Sequence, residues 1–288
     1  MNWPDISDAL FGGLPVYGEI LALVGNSVLA GAVLGLVGGL IGVFVMQRDM
    51  AFAVHGISEL SFAGAAAALL IGADVVTGSI IGSLIAAALI GWLGARARDR
   101  NSIIGVLMPF GLGLGILFLS LYDGRSANRF SLLTGQIVSV QSGQLGWLVA
   151  LSSIALLALL LIWRPLRFDS LDPQSAAARG VPTTGVSLAF MLLLGLVVAV
   201  AVHIIGALLV MALLVTPAAA AMRVATGPVS VPVLAAVFGF VSAVGGILLA
   251  IAGTLPVSPY ITTVSFLIYL VCRIIGARRG RVTRTRAA

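Results

Sequence analysis

The sequence predicts an all-α fold, a polytopic bundle of about eight or nine transmembrane helices. Three observations carry this. Of 288 residues, 60% belong to the apolar set AVILMFWYC and only 9% are Asp, Glu, Lys or Arg, against about 45–50% and about 25% in soluble domains. Mean hydropathy is +1.17. The apolar residues also fall in long uncharged runs, and a membrane span needs about 20 of them. A water-facing surface cannot be built from 16 basic and 10 acidic residues over this length. An ordinary soluble enzyme is excluded.

The uncharged runs cover 20–47, 60–73, 75–95, 101–122, 130–163, 180–222 and 224–272. The first supplies one span, in which AGAVLGLVGGLIG offers small residues for close helix approach. The second span needs 50–73 and so carries Glu59 inside it. The third, fourth and fifth runs take one span each. The last two contain 43 and 49 residues, enough for two crossings each. The pair within 184–222 is the tightest; it meets near His203–Gly206, and one member is expected to be short or broken.

Arg placement gives the same total of nine. Arg48, then Arg96, Arg98 and Arg100, then Arg164, Arg167 and Arg179, then Arg223, then six Arg between Arg273 and Arg286 share one side if two spans separate each group. By the positive-inside tendency that side is cytoplasmic. Only Arg125 and Arg129 fall outside. The N-terminus is then external and the C-terminus cytoplasmic, in an inner or plasma membrane. The N-terminus also lacks the basic flank of a signal peptide. The whole chain, 1–288, reads as one transmembrane domain. It has an external segment over 1–17, an outer loop over 122–144, an internal loop over 164–185 and a basic cytoplasmic tail over 277–288. None of these can hold a catalytic domain.

Every basic residue is Arg. Without Lys there is no Walker A loop to bind ATP and no Lys Schiff base. One cysteine, Cys272, rules out an internal disulfide and a Cys-rich zinc site; it is expected to pack at the inner end of the last span. The net charge of +6 does not point to nucleic acid. The terminal Arg cluster adjoins a span, where it meets anionic headgroups and fixes orientation.

In the internal loop, Asp172 followed by Pro173 is a helix start, because the carboxylate accepts free amides and Pro loses nothing at the first position. QSAAAR continues the helix through Arg179, and Gly180 suits the left-handed stop. A helix of about two turns is expected outside the membrane. It either joins two spans or docks a partner that supplies force. A chain with no nucleotide motif draws its energy from an ion gradient or from another subunit.

Inside the second span, His55 and Glu59 are four residues apart and share one helix face. Counted from Met50 at about 1.5 Å per residue, Glu59 lies roughly 14 Å into a core about 30 Å thick. A carboxylate there is costly unless paired, protonated or hydrated. One reading is a His–Glu pair that fixes packing. The other is a transient site for a divalent cation, since imidazole and carboxylate both ligate zinc and also suit manganese or iron. Two ligands are too few for tight capture, as a conduit requires. Ser58 and Ser61 flank the pair and are each expected to back-bond within the helix. His203 is expected at the outer end of the sixth span with a backbone partner.

Four stretches, in order, resemble the permease subunits of ABC importers for zinc, manganese and iron, over roughly 20–275. They are GNSVLAGAVLGLVGGLIGVFVMQRDMAF, HGISELSFAG, SLDPQSAAARGVP and IIGALLVMALLVTPAAAAMR, the last being the most specific. The resemblance implies a permease that passes a divalent metal inward, zinc first among the candidates. It implies no enzymatic activity and no cofactor bound by this chain. The implied partners are cytoplasmic ABC ATPase subunits, an external metal-binding protein and a second permease copy. It also implies that the segment of Asp172, Pro173, Arg179 and Gly180 couples to the ATPase, and that His55 and Glu59 lie in the conduit. The family's Asp falls on His55 and its His on Glu59, so the two ligand types are exchanged along the helix. Leu171 and Gln174 replace the usual Phe and Glu. Two rivals are a secondary transporter with Glu59 as proton carrier and an intramembrane enzyme using a metal on His55 and Glu59. The first would show an internal inverted repeat, which is not apparent; the second needs a third ligand.

Overall fold

The computed structural model describes residues 24–93, 97–122, 124, 140–251 and 257–286. The external segment over 1–17 and most of the outer loop over 122–144 lie outside them. Ten α-helices and no strands occur among the described residues: α1 Gly25–Gln47, α2 Ala51–Leu70, α3 Val75–Leu93, α4 Ala97–Leu121, α5 Ser142–Leu171, α6 Pro173–Ala178, α7 Thr183–Ile205, α8 Ala207–Val224, α9 Ser230–Ile251 and α10 Val257–Arg286. Eight of them are long and apolar enough to cross a membrane, and α8, with 18 residues, is shorter than any of these. The short member expected within 184–222 is thus α8. It follows a break at Gly206, whose φ of +82° is open to glycine without strain.

One compact unit holds the described residues of Met1–Leu40, Ile137–Val149 and Ala212–Ala288. Its tightest crossing is glycine on glycine: a Cβ on Gly35 would stand 2.5 Å from the Gly239 carbonyl oxygen. Asn26 Nδ2 donates to the Val140 carbonyl at 3.3 Å, tying the start of α1 to the approach to α5. Cys272 is buried in α10 at 5% exposure.

The other unit holds Ile41–Gln136 and Ala150–Met211. Here α2 packs against α3, α4 and α7. Gly64 on α2 meets Gly78 and Gly82 on α3 so closely that a Cβ on Gly64 would lie 3.0 Å from the Gly82 Cα. Without an apolar driving force in lipid, such small-residue contacts hold helices together. Phe44 adds edge-on ring contacts to Trp163 at 4.9 Å and to Phe190 at 6.1 Å.

The stretch 164–185 is mostly helical. Helix α5 continues past Pro165 to Leu171, although its apolar run ends at Trp163. Proline removes one backbone bond there without ending the helix, and Arg164 beside it is exposed. The basic tail likewise extends α10 to Arg286.

Candidate metal conduit and docking helix

Helix α2 positions both candidate residues, His55 and Glu59. The chain leaves α1 through Arg48, Asp49 and Met50, with Asp49 at φ +51°, a left-handed conformation that Asp tolerates better than most residues. Helix α2 starts at Ala51, so His55 is in its second turn and Glu59 one turn further. Gly111 lets α4 approach the α2 backbone, since a Cβ there would stand 3.1 Å from the Glu59 carbonyl carbon.

His55 Nε2 and Glu59 Oε1 are 3.6 Å apart, with side-chain exposures of 28% and 5%. The pair therefore forms, but it is too long for a good hydrogen bond. His55 Nδ1 and Glu59 Oε2 are buried and make no hydrogen bond among the described residues. Buried polar atoms in native proteins are nearly always bonded, so each exception calls for a reason. Donor atoms about 2.1 Å from a tetrahedral zinc stand about 3.4 Å apart, so the 3.6 Å gap admits a cation after a small closure. Among the described residues no three His, Cys, Asp or Glu gather closely enough to hold a metal.

The neighbouring serines behave differently from each other. Ser58 Oγ donates to the His55 carbonyl at 2.8 Å, back-bonding as expected. Ser61 does not; its hydroxyl lies 2.7 Å from Ser79 Oγ. Ser79 in turn donates to the Ala199 carbonyl on α7 at 3.3 Å. A period-based reading sees only one helix, whereas these partners sit on three.

His203 occupies the last turn of α7. The α2–α3 turn carries Asp74, which caps α3 by accepting from the Thr77 hydroxyl at 2.7 Å and the Thr77 amide at 2.8 Å. Those bonds, the hydroxyl first, hold the Asp74 carboxyl below the usual carboxylate range.

The second candidate region is α6. Asp172 accepts from the Ser175 amide at 3.0 Å and the Ser175 hydroxyl at 2.5 Å, and these bonds lower its pKa. Pro173 sits at the first turn and Arg179 closes the C-terminus. Gly180 has φ +80°. The Gly180 amide donates to Ala177 and the Val181 amide to Ala176, each at 3.0 Å, the double bond of a Schellman stop. The Arg179 guanidinium lies 5.5 Å from the Phe168 ring centroid. Ala176 is buried while Leu171, Pro173, Gln174, Ala177 and Ala178 are exposed, so a six-residue helix presents a small, preformed outer face.

The pair missed by sequence reasoning is Arg48–Asp169. Arg48 Nη1 donates to Asp169 Oδ2 at 2.6 Å, with side-chain exposures of 11% and 3%. No local signal joins residues 121 positions apart.

Comparison with known proteins gives concordant results. The pattern of the ABC 3 transport family matches residues 21–276. The manganese transport system membrane protein MntC of Halalkalibacterium halodurans is 30% identical, over 90% of this chain and 89% of that one. The high-affinity zinc uptake system membrane protein ZnuB of Haemophilus influenzae is 26% identical, over 78% and 86%. A solved structure, PsaBC from Streptococcus pneumoniae in complex with Fab, shares 27% identity and a TM-score of 0.78, over 86% of this chain and 90% of that chain.

Proposed function

The chain belongs to the ABC 3 transport family, and on that premise we propose that it is the permease subunit of a divalent-metal importer powered by separate ATPase subunits. It acts as one permease domain, paired with a second copy, with its N-terminus outside and its C-terminal Arg cluster in the cytoplasm. An external metal-binding protein delivers the ion. The ion passes His55 and Glu59 of both copies, and the α6 face receives the ATPase.

The observation that carries this reading is the half-satisfied pair on α2. A pair serving packing alone would close and bond its remaining atoms, as buried polar groups do. This one stays at 3.6 Å, with Nδ1 and Oε2 unbonded among the described residues. Two copies would supply two imidazoles and two carboxylates, enough first-row metal ligands to replace water and few enough to let the ion go.

Manganese is the first reading of the metal, because the more similar of the two curated relatives is named for it. Zinc, the expectation from the sequence, is the second, and the pair's geometry favours it. A cis pair on an octahedral ion at similar bond lengths stands only about 3.0 Å apart, so the observed gap lies nearer the tetrahedral spacing. Vesicles containing the permease, its ATPase and its binding protein test both. ATP-dependent uptake of radiolabelled manganese that excess zinc does not displace supports manganese; the reverse supports zinc. Uptake of neither would reject the importer reading.

A further inference from the structure

We propose that the Arg48–Asp169 ion pair is the strut that carries motion of the docking helix to the conduit helix. The inference rests on the docking and conduit roles proposed above for α6 and α2.

The pair lies at the one place where both elements begin. Asp169 is three residues before Asp172, the cap of α6, and Arg48 is three residues before Ala51, the start of α2. The α1–α2 connection is stiff. The Met50 amide donates to the Val45 carbonyl at 2.9 Å, and the Ala53 and Val54 amides return to the Met50 carbonyl at 3.0 and 3.3 Å. Met50 is 1% exposed. A displacement of Arg48 therefore moves the first turn of α2, and His55 stands one turn beyond.

The other end of the strut is equally held. Arg48 Nη1 reaches Ser170 Oγ at 3.3 Å as well as Asp169, and Ser170 Oγ donates to the Leu166 carbonyl at 2.6 Å. The guanidinium also lies 5.9 Å from the Phe190 ring centroid on α7. Arg48 thus grips α5 at two oxygens through one nitrogen.

Stability does not account for such a pair. Buried ion pairs are frequently no better than apolar residues of similar volume, and apolar residues are what the rest of this chain uses. A directional, short link between two elements has a positional use instead. Beside it, a cavity of about 410 Å³ lined by Gln47, Asp49, Asp169, Pro173, Thr183 and Met191 leaves the joint room to tilt.

The test uses the complete complex in vesicles, with Asp169→Asn, Arg48→Gln, Arg48→Lys and the exchange Arg48→Asp with Asp169→Arg. Co-purification of the ATPase, ATP hydrolysis, and binding and uptake of manganese are measured for each, with zinc in its place if the unsubstituted complex moves zinc instead. In Asp169→Asn and Arg48→Gln, assembly, hydrolysis and manganese binding should persist. Metal moved per ATP hydrolysed should fall by roughly 5- to 150-fold, the usual range of coupling between sites. Arg48→Lys should retain an intermediate ratio, and the exchange should recover most of it. Two outcomes overturn the strut: an unchanged ratio, whether or not uptake and hydrolysis fall together, or an exchange variant that fails to assemble or couples no better than the single ones. Failure of the parent reading is distinct, because the unsubstituted complex would then show no ATP-dependent uptake and both proposals would fall together.

Discussion

Replacing Glu59 by Gln keeps the volume of a side chain that is only 5% exposed and removes its charge. Packing should hardly change, whereas truncation to Ala would add a cavity to the measurement. The magnitude follows from what the carboxylate faces. Its nearest donor neighbour is His55 Nε2 at 3.6 Å, and Oε2 has no hydrogen-bond partner among the described residues. A cation in that gap depends on Glu59 for its charge compensation. Removing one partner of a buried charge pair costs about 3–5 kcal/mol, and each 1.4 kcal/mol is about tenfold in affinity. Metal affinity should therefore fall roughly 100- to 5,000-fold in Glu59→Gln.

Thermal unfolding of the purified chain reads this without transport. A ligand that binds only the folded state stabilises it by about 2.7 kcal/mol at a hundred times its dissociation constant. The unsubstituted protein should melt higher as manganese or zinc is added, and Glu59→Gln should not respond over the same range. Without metal the two should melt together. An equal metal-induced rise in both proteins would refute the conduit assignment. A large loss of stability without metal would instead show that the pair serves packing.

Deleting residues 173–179 should abolish co-purification of the ATPase while the permease still inserts; unchanged recovery would refute docking at α6. The lowered pKa of Asp172 gives a pH expectation. A group whose folded pKa is depressed contributes above its unfolded pKa and loses that contribution as pH falls through the folded value. Protection of the Ser175 amide against exchange, taken relative to its intrinsic rate at each pH, should accordingly hold through the ordinary carboxylate range and be lost only below it, whereas Asp172→Asn should remove this pH dependence of protection. Ser61→Ala and Ser79→Ala should each cost about 1–3 kcal/mol in thermal unfolding by stranding a buried partner. The double substitution should cost less than their sum, and strict additivity would mean that the α2–α3 link does not form.

How much of this was legible in the sequence depends on the range of each signal. The order of the spans is written locally, since charges mark helix ends, and so is α6, since Asp172-Pro173 and Gly180 are start and stop signals that act within one turn. The end of α5 is less visible. Hydropathy stops at Trp163, while the helix runs eight residues further to Leu171, because backbone bonding does not require an apolar surface. Ser61 shows a similar limit: its bond to Ser79 depends on an α2–α3 crossing permitted by Gly64, Gly78 and Gly82. The Arg48–Asp169 pair is the extreme case, because only the tertiary fold brings Asp169 to Arg48, which reads in the sequence as an ordinary span-end marker.

The two charged pairs of this unit differ physically in ways that suit the separate roles proposed for them. Both have a carboxylate that is almost wholly buried, so burial alone does not distinguish them. Arg48–Asp169 closes to 2.6 Å, draws in Ser170 and joins two elements far apart in sequence. His55–Glu59 stands open at 3.6 Å on a single helix, so it joins nothing and contributes little to the fold. A permanent contact is improved by every further bond. A conduit is impaired by one, because each bond made to a protein partner must be broken before the ion can take its place. On the proposed reading, a glutamate left half-bonded on α2 is what passage of a cation requires, and the closed pair is what lets a movement at α6 reach that helix.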